Sequence, residues 1–358
     1  MPILGEKKRA RIVLQDNAIF EGFSFGAMRS VAGEVVFNTG MVGYPEALTD
    51  PSYKGQILTL TFPLVGNYGV PKHELLLPEL ERYFESTTIH VSGLIISDYS
   101  FQHSHWNAAQ SLDAWMKQHD VPGVYGIDTR ALTKKLREKG TMLGKIVVDK
   151  DISFFDPNAV NIVEEVSTTK PITYKAGTKK IIAVDCGIKH NIIRNFLDKN
   201  VTVIRVPWNY DFTQLDFDGV FISNGPGDPK QCTATIHNIQ KALQEEKPIF
   251  GICLGSQILA LAAGADTYKL KYGHRGQNQP CVEEPSKKCY ITAQNHGFAV
   301  NTKTLPAGWE EWFVNANDGT NEGIRHKNKS LFATQFHPEG HCGPEDTQYT
   351  FDMFIKEL

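Results

Sequence analysis

The sequence predicts a two-domain α/β protein, with a strand-rich α+β domain over residues 1–150 followed by a parallel-sheet domain over residues 179–358. Its length of 358 residues is more than one hydrophobic core commonly supports. In the second half, strand-like and helix-like apolar runs alternate, which is typical of a parallel sheet with right-handed crossovers. Residues 151–178 are polar and contain Pro157 and Pro171, so we interpret them as a linker.

The composition excludes several classes of partner. Hydrophobic residues make up 41% of the chain, the formal net charge is −3, and no long basic run occurs, so neither nucleic acid nor a membrane is an expected partner. The six cysteines lack CxxC or zinc-ligand spacing, which favours a reducing compartment and no metal. The N-terminal residues 1–9 carry no signal-peptide core and are too short for a transit peptide, so we expect a cytoplasmic location.

The first half is predicted to contain a hairpin, four further strands and two helices. The hairpin covers residues 11–22 with a Gln-Asp-Asn turn. One helix is predicted over 107–119, and a second begins at Asp128, a good N-cap, and ends at Gly140. The other strands are predicted at 33–39, 56–62, 91–97 and 142–148.

The second half is predicted to place its functional residues at one edge of the sheet. Active sites of such sheets lie at the carboxyl ends of the strands. The loop 223–229 (Ser-Asn-Gly-Pro-Gly-Asp-Pro) follows one strand, and Asp228 is the expected N-cap of the next helix. The predicted strands cover 181–184, 201–206, 219–223 and 248–252, and the predicted helices cover 191–197 and 234–244.

Cys253 is the strongest candidate for a nucleophile. An apolar run at 248–252 leads into Gly-x-Cys-x-Gly, and a helix-like run at 258–263 follows, which is the layout of a nucleophile elbow. Gly251 and Gly255 are expected to allow the strained backbone that exposes the thiol. The positive end of a following helix stabilises a thiolate.

His337 is the candidate for the base that a thiol nucleophile requires, and Glu339 for the carboxylate that orients its imidazole. They stand in Phe-His-Pro-Glu after a predicted strand at 331–336, and Pro338 keeps both side chains on one short, rigid segment. Cys186 is the competing nucleophile, but it lacks the glycine two residues before it and has Asp185 beside it. We interpret His103 and His105 as loop histidines and Cys342 as incidental.

These motifs resemble the triad-type, class I glutamine amidotransferases. The first half narrows the resemblance to the glutaminase subunit of carbamoyl-phosphate synthetases, in a form similar to that of eukaryotes. The resemblance covers essentially the whole chain. The segments that carry it are 33–46, 49–53, 66–69, 126–130, 223–229, 251–255, 294–300 and 336–339.

The resemblance implies a reaction and a role for each matching residue. Cys253 would attack the side-chain amide of L-glutamine to give a γ-glutamyl thioester and ammonia, with His337 as base and acid and Glu339 orienting it. Ammonia would pass to a synthetase large subunit or fused domain, which makes carbamoyl phosphate from bicarbonate and ATP. No cofactor is expected in this chain, since the synthetase partner uses ATP and Mg. The positions implied to bind glutamine are Ser52, Gly225, Gly227, Leu254, Gln257, Asn295, Gly297 and Phe298, of which Gly227 and Leu254 would form the oxyanion hole.

One residue departs from the family pattern. The family usually carries His after Leu-Gly, whereas this chain has Ser256, which supplies neither the charge nor the bulk of an imidazole.

Three alternative functions stay open. They are a regulatory or scaffolding domain with weak hydrolysis, the glutaminase of anthranilate, GMP or CTP synthesis, and an unrelated Cys hydrolase. The N-terminal half argues against the second and the Asn295–Phe298 match against the third. The sequence does not distinguish pyrimidine from arginine or urea synthesis.

Overall fold

Two units, divided at Pro157, make up the structure, a computed structural model in which residues 8–358 are described. The prediction about the N-terminal segment falls mainly on residues 1–7 and lies outside the described residues. No helix among residues 8–358 is both long enough and apolar enough to cross a membrane.

The first unit is built around a closed barrel of seven strands. The strand order is β1-β11-β3-β4-β8-β10-β2, and Trp115 and Phe84 are fully buried in a core of the same unit. The hairpin predicted at 11–22 is confirmed as β1 and β2. The elements are β1 (Arg9–Leu14), β2 (Ile19–Gly26), β3 (Val31–Asn38), α1 (Tyr44–Thr49), β4 (Gln56–Leu60), β5 (Leu64–Val65), β6 (Leu75–Leu77), β7 (Leu80–Glu81), β8 (Gly93–Ile95), β9 (Asp98–Tyr99), α2 (Leu112–Gln118), β10 (Pro122–Tyr125), α3 (Thr129–Lys139) and β11 (Met142–Val147).

Helix caps fix where the two longer helices of this unit begin. Ser111 accepts a hydrogen bond from Ala114 N at 3.2 Å, so α2 begins at Leu112 rather than at residue 107. Asp128 caps α3 in the same way, as predicted, through Ala131 N at 2.8 Å. The sequence analysis missed β10 because this strand has only four residues, three of them buried, and shows no alternation.

The second unit contains a ten-stranded sheet in the order β12-β14-β13-β15-β16-β21-β20-β19-β17-β18. Strands β14, β13, β15, β16 and β21 are parallel, as the alternating pattern predicts, and the last four in the order extend the sheet with antiparallel pairs. The elements are β12 (Ile172–Tyr174), β13 (Lys180–Asp185), α4 (His190–Asp198), β14 (Thr202–Pro207), β15 (Gly219–Ile222), α5 (Thr233–Ala242), β16 (Ile249–Ile252), α6 (Leu254–Ala263), β17 (Thr267–Glu283), β18 (Cys289–Val300), β19 (Trp309–Asn315), β20 (Asn321–His326), β21 (Leu331–Thr334) and α7 (Tyr349–Glu357).

The segment interpreted as a linker, 151–178, is largely part of the second unit. Val163 is 1% exposed in the core of that unit, and β12 pairs with β14 at the sheet edge. Single buried residues in a polar stretch give little sequence signal. Asp228 accepts a hydrogen bond from Lys230 N at 2.9 Å, but it caps a short 3-10 turn, Pro229–Gln231, ahead of α5.

Candidate active site

Cys253 lies in the sharp turn between β16 and α6. Its backbone has φ 56° and ψ −106°, a strained conformation for a residue with a side chain. Cys253 N donates a 2.8 Å hydrogen bond to Thr334 O, which ties the turn to the neighbouring strand β21. The side chain is 2% exposed, so a reactive thiol here would be shielded from bulk water.

The two glycines beside the turn serve close packing. A Cβ at Gly255 would lie 2.1 Å from Ile222 O, and one at Gly251 would lie 2.6 Å from Gly255 O. Neither glycine has a positive φ. Cys253 itself adopts the strained conformation, and the two glycines let α6 approach the sheet closely.

His337 and Glu339 form a buried pair just after β21. His337 Nδ1 and Glu339 Oε1 are 2.7 Å apart, and His337 N donates to Ala293 O at 2.8 Å. Because a carboxylate accepts, Nδ1 carries the proton. Among residues 8–358, no group meets the distance and angle of a hydrogen bond to His337 Nε2, so this nitrogen is available to a reacting group.

The electrostatics favour an imidazolium–carboxylate pair. Burial opposes the charge on His337, but Glu339 outweighs it, Cys253 adds to the effect, and the pKa of His337 is raised to about 10. Burial likewise opposes the charge on Glu339, but Lys189 and His337 outweigh it and lower its pKa to about 2. Because Cys253 contributes to the raised pKa of His337, its thiol lies close enough to the imidazole to interact with it electrostatically.

Lys189 and Asn191 join the site although the sequence analysis did not single them out. Lys189 Nζ lies 2.8 Å from Glu339 Oε1, and Asn191 Nδ2 donates to Glu339 O at 2.7 Å. Both residues follow β13, at the carboxyl end of a parallel strand. That position, which we used for Cys253, is the signal by which they could have been found.

Gln257 contacts Phe298, another of the residues implied to bind glutamine. Its Nε2 donates to Phe298 O at 2.8 Å and to Gln335 Oε1 at 2.9 Å. The thiol of Cys253 lies 3.5 Å from Asn295 O. Since both N–H groups of Gln257 are engaged, its side chain can offer a ligand only the carbonyl oxygen, an acceptor.

Gly225, in the loop after β15, lies next to Leu254 at the start of α6. A Cβ at Gly225 would lie 2.8 Å from Leu254 Cδ2 and 2.0 Å from Cys186 O, so only glycine is accommodated there. Gly227 has φ 83°, a turn conformation that favours glycine. Leu254 N–H is among the first helical donors, which have no intrahelical acceptor. The Leu254 N–H is a donor of the kind that stabilises an oxyanion.

Ser52 and Gly297 complete the predicted set. Ser52 belongs to the first unit, where it is buried in a 3-10 turn and its N–H donates to Asp50 Oδ1 at 2.9 Å. Gly297 belongs to β18 of the second unit and is partly exposed. The second unit thus contains the candidate triad and all the predicted glutamine-binding residues except Ser52, which belongs to the first unit.

The other candidates occupy different environments. Cys186 is fully buried in the core of the second unit, and burial, Cys232 and Asp185 raise the pKa of its thiol far above the ordinary value, which disfavours a thiolate. Cys342 Sγ accepts a hydrogen bond from Gln277 Nε2 at 2.9 Å. His103 and His105 are exposed. Ser256 is fully buried, and its hydroxyl has no hydrogen-bond partner among the described residues.

Comparison with known proteins gives matches over both halves. The family described as "Carbamoyl-phosphate synthase small chain, CPSase domain" matches residues 12–146, and "Glutamine amidotransferase class-I" matches residues 182–357. The chain is 54% identical over 354 residues to the multifunctional protein CAD of Squalus acanthias, covering 97% of this chain and 16% of that protein. It is 52% identical over 351 residues to the mitochondrial carbamoyl-phosphate synthase [ammonia] of Homo sapiens, covering 97% and 23%.

Among solved structures, a putative GMP synthase subunit from Thermoplasma acidophilum is similar at 28% identity, with a TM-score of 0.43 and coverage of 49% of this chain and 90% of that chain. With regard to the curated relatives, the chain spans between about a sixth and a quarter of the length of the two proteins named above.

Proposed function

We propose that this chain, which belongs to the carbamoyl-phosphate synthase small-chain family with a class I glutamine amidotransferase domain as its second half, hydrolyses L-glutamine at Cys253. The observation that carries the proposal is the position of Cys253, on a strained turn whose N–H is bonded to β21, beside the His337–Glu339 pair that follows that strand. Acyl transfer through a thioester requires a nucleophile, a base beside it and a carboxylate that orients the base.

The first half of the reaction forms the thioester. His337 Nε2 holds the proton that Cys253 gives up, in keeping with the imidazolium that Glu339 favours, and the thiolate attacks the carbon of the side-chain amide. The oxyanion that forms accepts hydrogen bonds from Leu254 N–H and Gly227 N–H. The imidazolium then gives its proton to the amide nitrogen, the C–N bond breaks, and ammonia leaves. The γ-glutamyl group stays on sulfur.

The second half releases glutamate. Neutral His337 takes a proton from water, hydroxide adds to the thioester carbonyl, and the C–S bond breaks, which releases glutamic acid and leaves the thiolate beside protonated His337. Glu339 stabilises the imidazolium in both halves, and the raised pKa of His337 supports this role. Gln257, Asn295, Gly297, Phe298, Gly225 and Ser52 are proposed to bind the amino-acid substrate.

The fate of the ammonia extends the proposal to a partner. The human carbamoyl-phosphate synthase is about four times longer than this chain, since the match covers 23% of it. We therefore propose that ammonia passes to a synthetase subunit or fused domain, which uses bicarbonate and ATP with Mg. No cofactor is proposed for this chain itself.

A diazo-ketone analogue of glutamine tests the nucleophile directly. The 358-residue chain is treated with the analogue, with and without excess glutamine, and the modified peptide is identified by mass spectrometry. We expect alkylation of Cys253, blocked by glutamine and absent in Cys253→Ala. Cys186→Ala is the matched control and should label normally. Labelling of Cys186 in the unchanged chain contradicts the assignment, and no labelling favours a regulatory domain that does not hydrolyse glutamine.

A further inference from the structure

His274 is a buried histidine whose two ring nitrogens both face carboxylates. Its Nδ1 lies 3.1 Å from Glu322 Oε1, and its Nε2 lies 2.9 Å from Asp318 Oδ2. The His274 side chain is 8% exposed and that of Glu322 is 0% exposed, whereas Asp318 reaches the surface at 43%. A ring with acceptors at both ends carries a proton on each nitrogen, which makes His274 an imidazolium fixed at two points.

The electrostatics agree with this arrangement. Burial alone would lower the pKa of His274, but the hydrogen bonds and charges of Glu322 and Asp318 outweigh it and raise the pKa. Asn315 Nδ2 also donates to Glu322 Oε1, at 3.1 Å, so the inner carboxylate is itself held in place. The orientation of the His274 ring is thus determined from β20 and from the turn before it.

His274 in turn contacts the strand that carries the candidate glutamine-binding residues. It lies directly opposite His296 in the pairing of β17 with β18, and the two rings pack edge to face with centroids 5.0 Å apart. His296 Nδ1 donates to Phe298 O at 2.8 Å, the same carbonyl that accepts from Gln257. A contact path therefore runs from Asp318 at the surface through His274 and His296 to Phe298.

We propose that His274, fixed between Glu322 and Asp318, is a positioning residue that sets the place of the Phe298 carbonyl and with it the affinity of the site for glutamine. This inference rests on the proposed function. His274 does not touch the candidate triad, so its loss is expected to weaken substrate binding and to leave the bond-making steps nearly unchanged. The path also gives a role to three buried side chains that lie close together, those of His274, His296 and Glu322.

Kinetics of the 358-residue chain test the proposal. His274→Gln is expected to raise KM for glutamine about tenfold with kcat changed less than about twofold, since substrate binding is weakened and the transition-state groups are not. Asp318→Asn removes one of the two fixed points at the surface and is expected to raise KM about threefold. His326→Gln is the control, because His326 also packs edge to face, against Trp309, but outside this path. A folded His274→Gln chain with unchanged KM overturns the proposal, and Asp318→Asn decides the case if His274→Gln does not fold.

A second readout is independent of glutamine hydrolysis. In ¹⁵N-histidine NMR spectra, the Nδ1-bound proton of His296 should shift or exchange faster with solvent in His274→Gln and stay unchanged in His326→Gln. An unchanged His296 signal in His274→Gln overturns the positioning role even if the unchanged chain proves inactive. Metal analysis completes the test: a stoichiometric ion lost on His274→Gln would make the cluster a metal site and contradict the proposal.

Discussion

Lys189 Nζ lies 2.8 Å from Glu339 Oε1, although 150 residues separate the two in the chain. Both side chains are almost fully buried, at 8% and 0% exposure. The carboxylate that orients His337 therefore has two cationic neighbours, and they hold its pKa at about 2 against the opposing effect of burial. A carboxylate so held stays ionised at any pH well above 2.

Lys189→Met is expected to destabilise the second unit by about 3 kcal/mol, because removing one partner of a buried ion pair leaves the other charge poorly compensated. Urea denaturation at neutral pH measures the difference. Lys199→Met is the matched control: it lies in the same helix region and pairs with Asp352 near the surface. Its loss should cost no more than about 1 kcal/mol. Equal effects of the two substitutions would contradict the importance of the buried pair.

Cys253→Gly is expected to be more stable than Cys253→Ala by about 1 kcal/mol, since glycine adopts a positive φ without the strain of a Cβ. Both variants lack the thiol, so both should be inactive, and their comparison isolates the backbone. Thermal unfolding of the two proteins side by side gives the answer. A less stable glycine variant would mean that the turn at φ 56° is not strained.

Ser256→Ala is expected to leave the free energy of unfolding unchanged or to raise it slightly, because the buried hydroxyl has no partner among the described residues to lose. Ser223→Ala is the control. Its hydroxyl is also fully buried, but it accepts from Cys186 N at 2.9 Å and donates to Asn224 O at 2.8 Å. That substitution should cost about 1–3 kcal/mol, since the Cys186 N–H and the Asn224 carbonyl are left without this partner. Chemical denaturation of both variants distinguishes the two cases.

The His337–Glu339 pair predicts a specific dependence of stability on pH. The pKa of His337 is raised from 6.5 to about 10, so its contribution is complete below about pH 6.5 and is lost as pH rises through 10. The pKa of Glu339 is lowered from 4.5 to about 2, so its contribution is complete above about pH 4.5 and is lost as pH falls through 2.

The unchanged chain should have a higher free energy of unfolding than a His337→Gln, Glu339→Gln double variant. This difference should be largest between about pH 4.5 and 6.5. Urea titrations at pH 5.5 and 9 measure it. A difference that grows between pH 5.5 and 9 would mean that His337 is neutral in the folded protein.

Local patterns in the chain carry much of the fold. The hairpin of β1 and β2 follows from alternation and a turn, α3 begins at Asp128 through a cap that the sequence displays, and the parallel strands follow from the alternation of strand and helix. The β17–β18 pair was not predicted, because its long strands are polar and partly exposed and show no period-2 pattern. Val163 and β12 were missed for a similar reason, since isolated buried residues carry no periodicity.

The sequence by itself determined the kinds of residue at the candidate site: a cysteine between glycines after an apolar run, and a histidine and a glutamate joined by proline. Spacing along the chain restricts those groups because neighbours in sequence must be neighbours in space. Only the tertiary structure decided that Lys189 faces Glu339, that Gln257 binds Phe298 O, and that His274 lies between Glu322 and Asp318. These contacts depend on which strands become adjacent in the sheet, and that is set by packing over long sequence separations rather than by any local pattern.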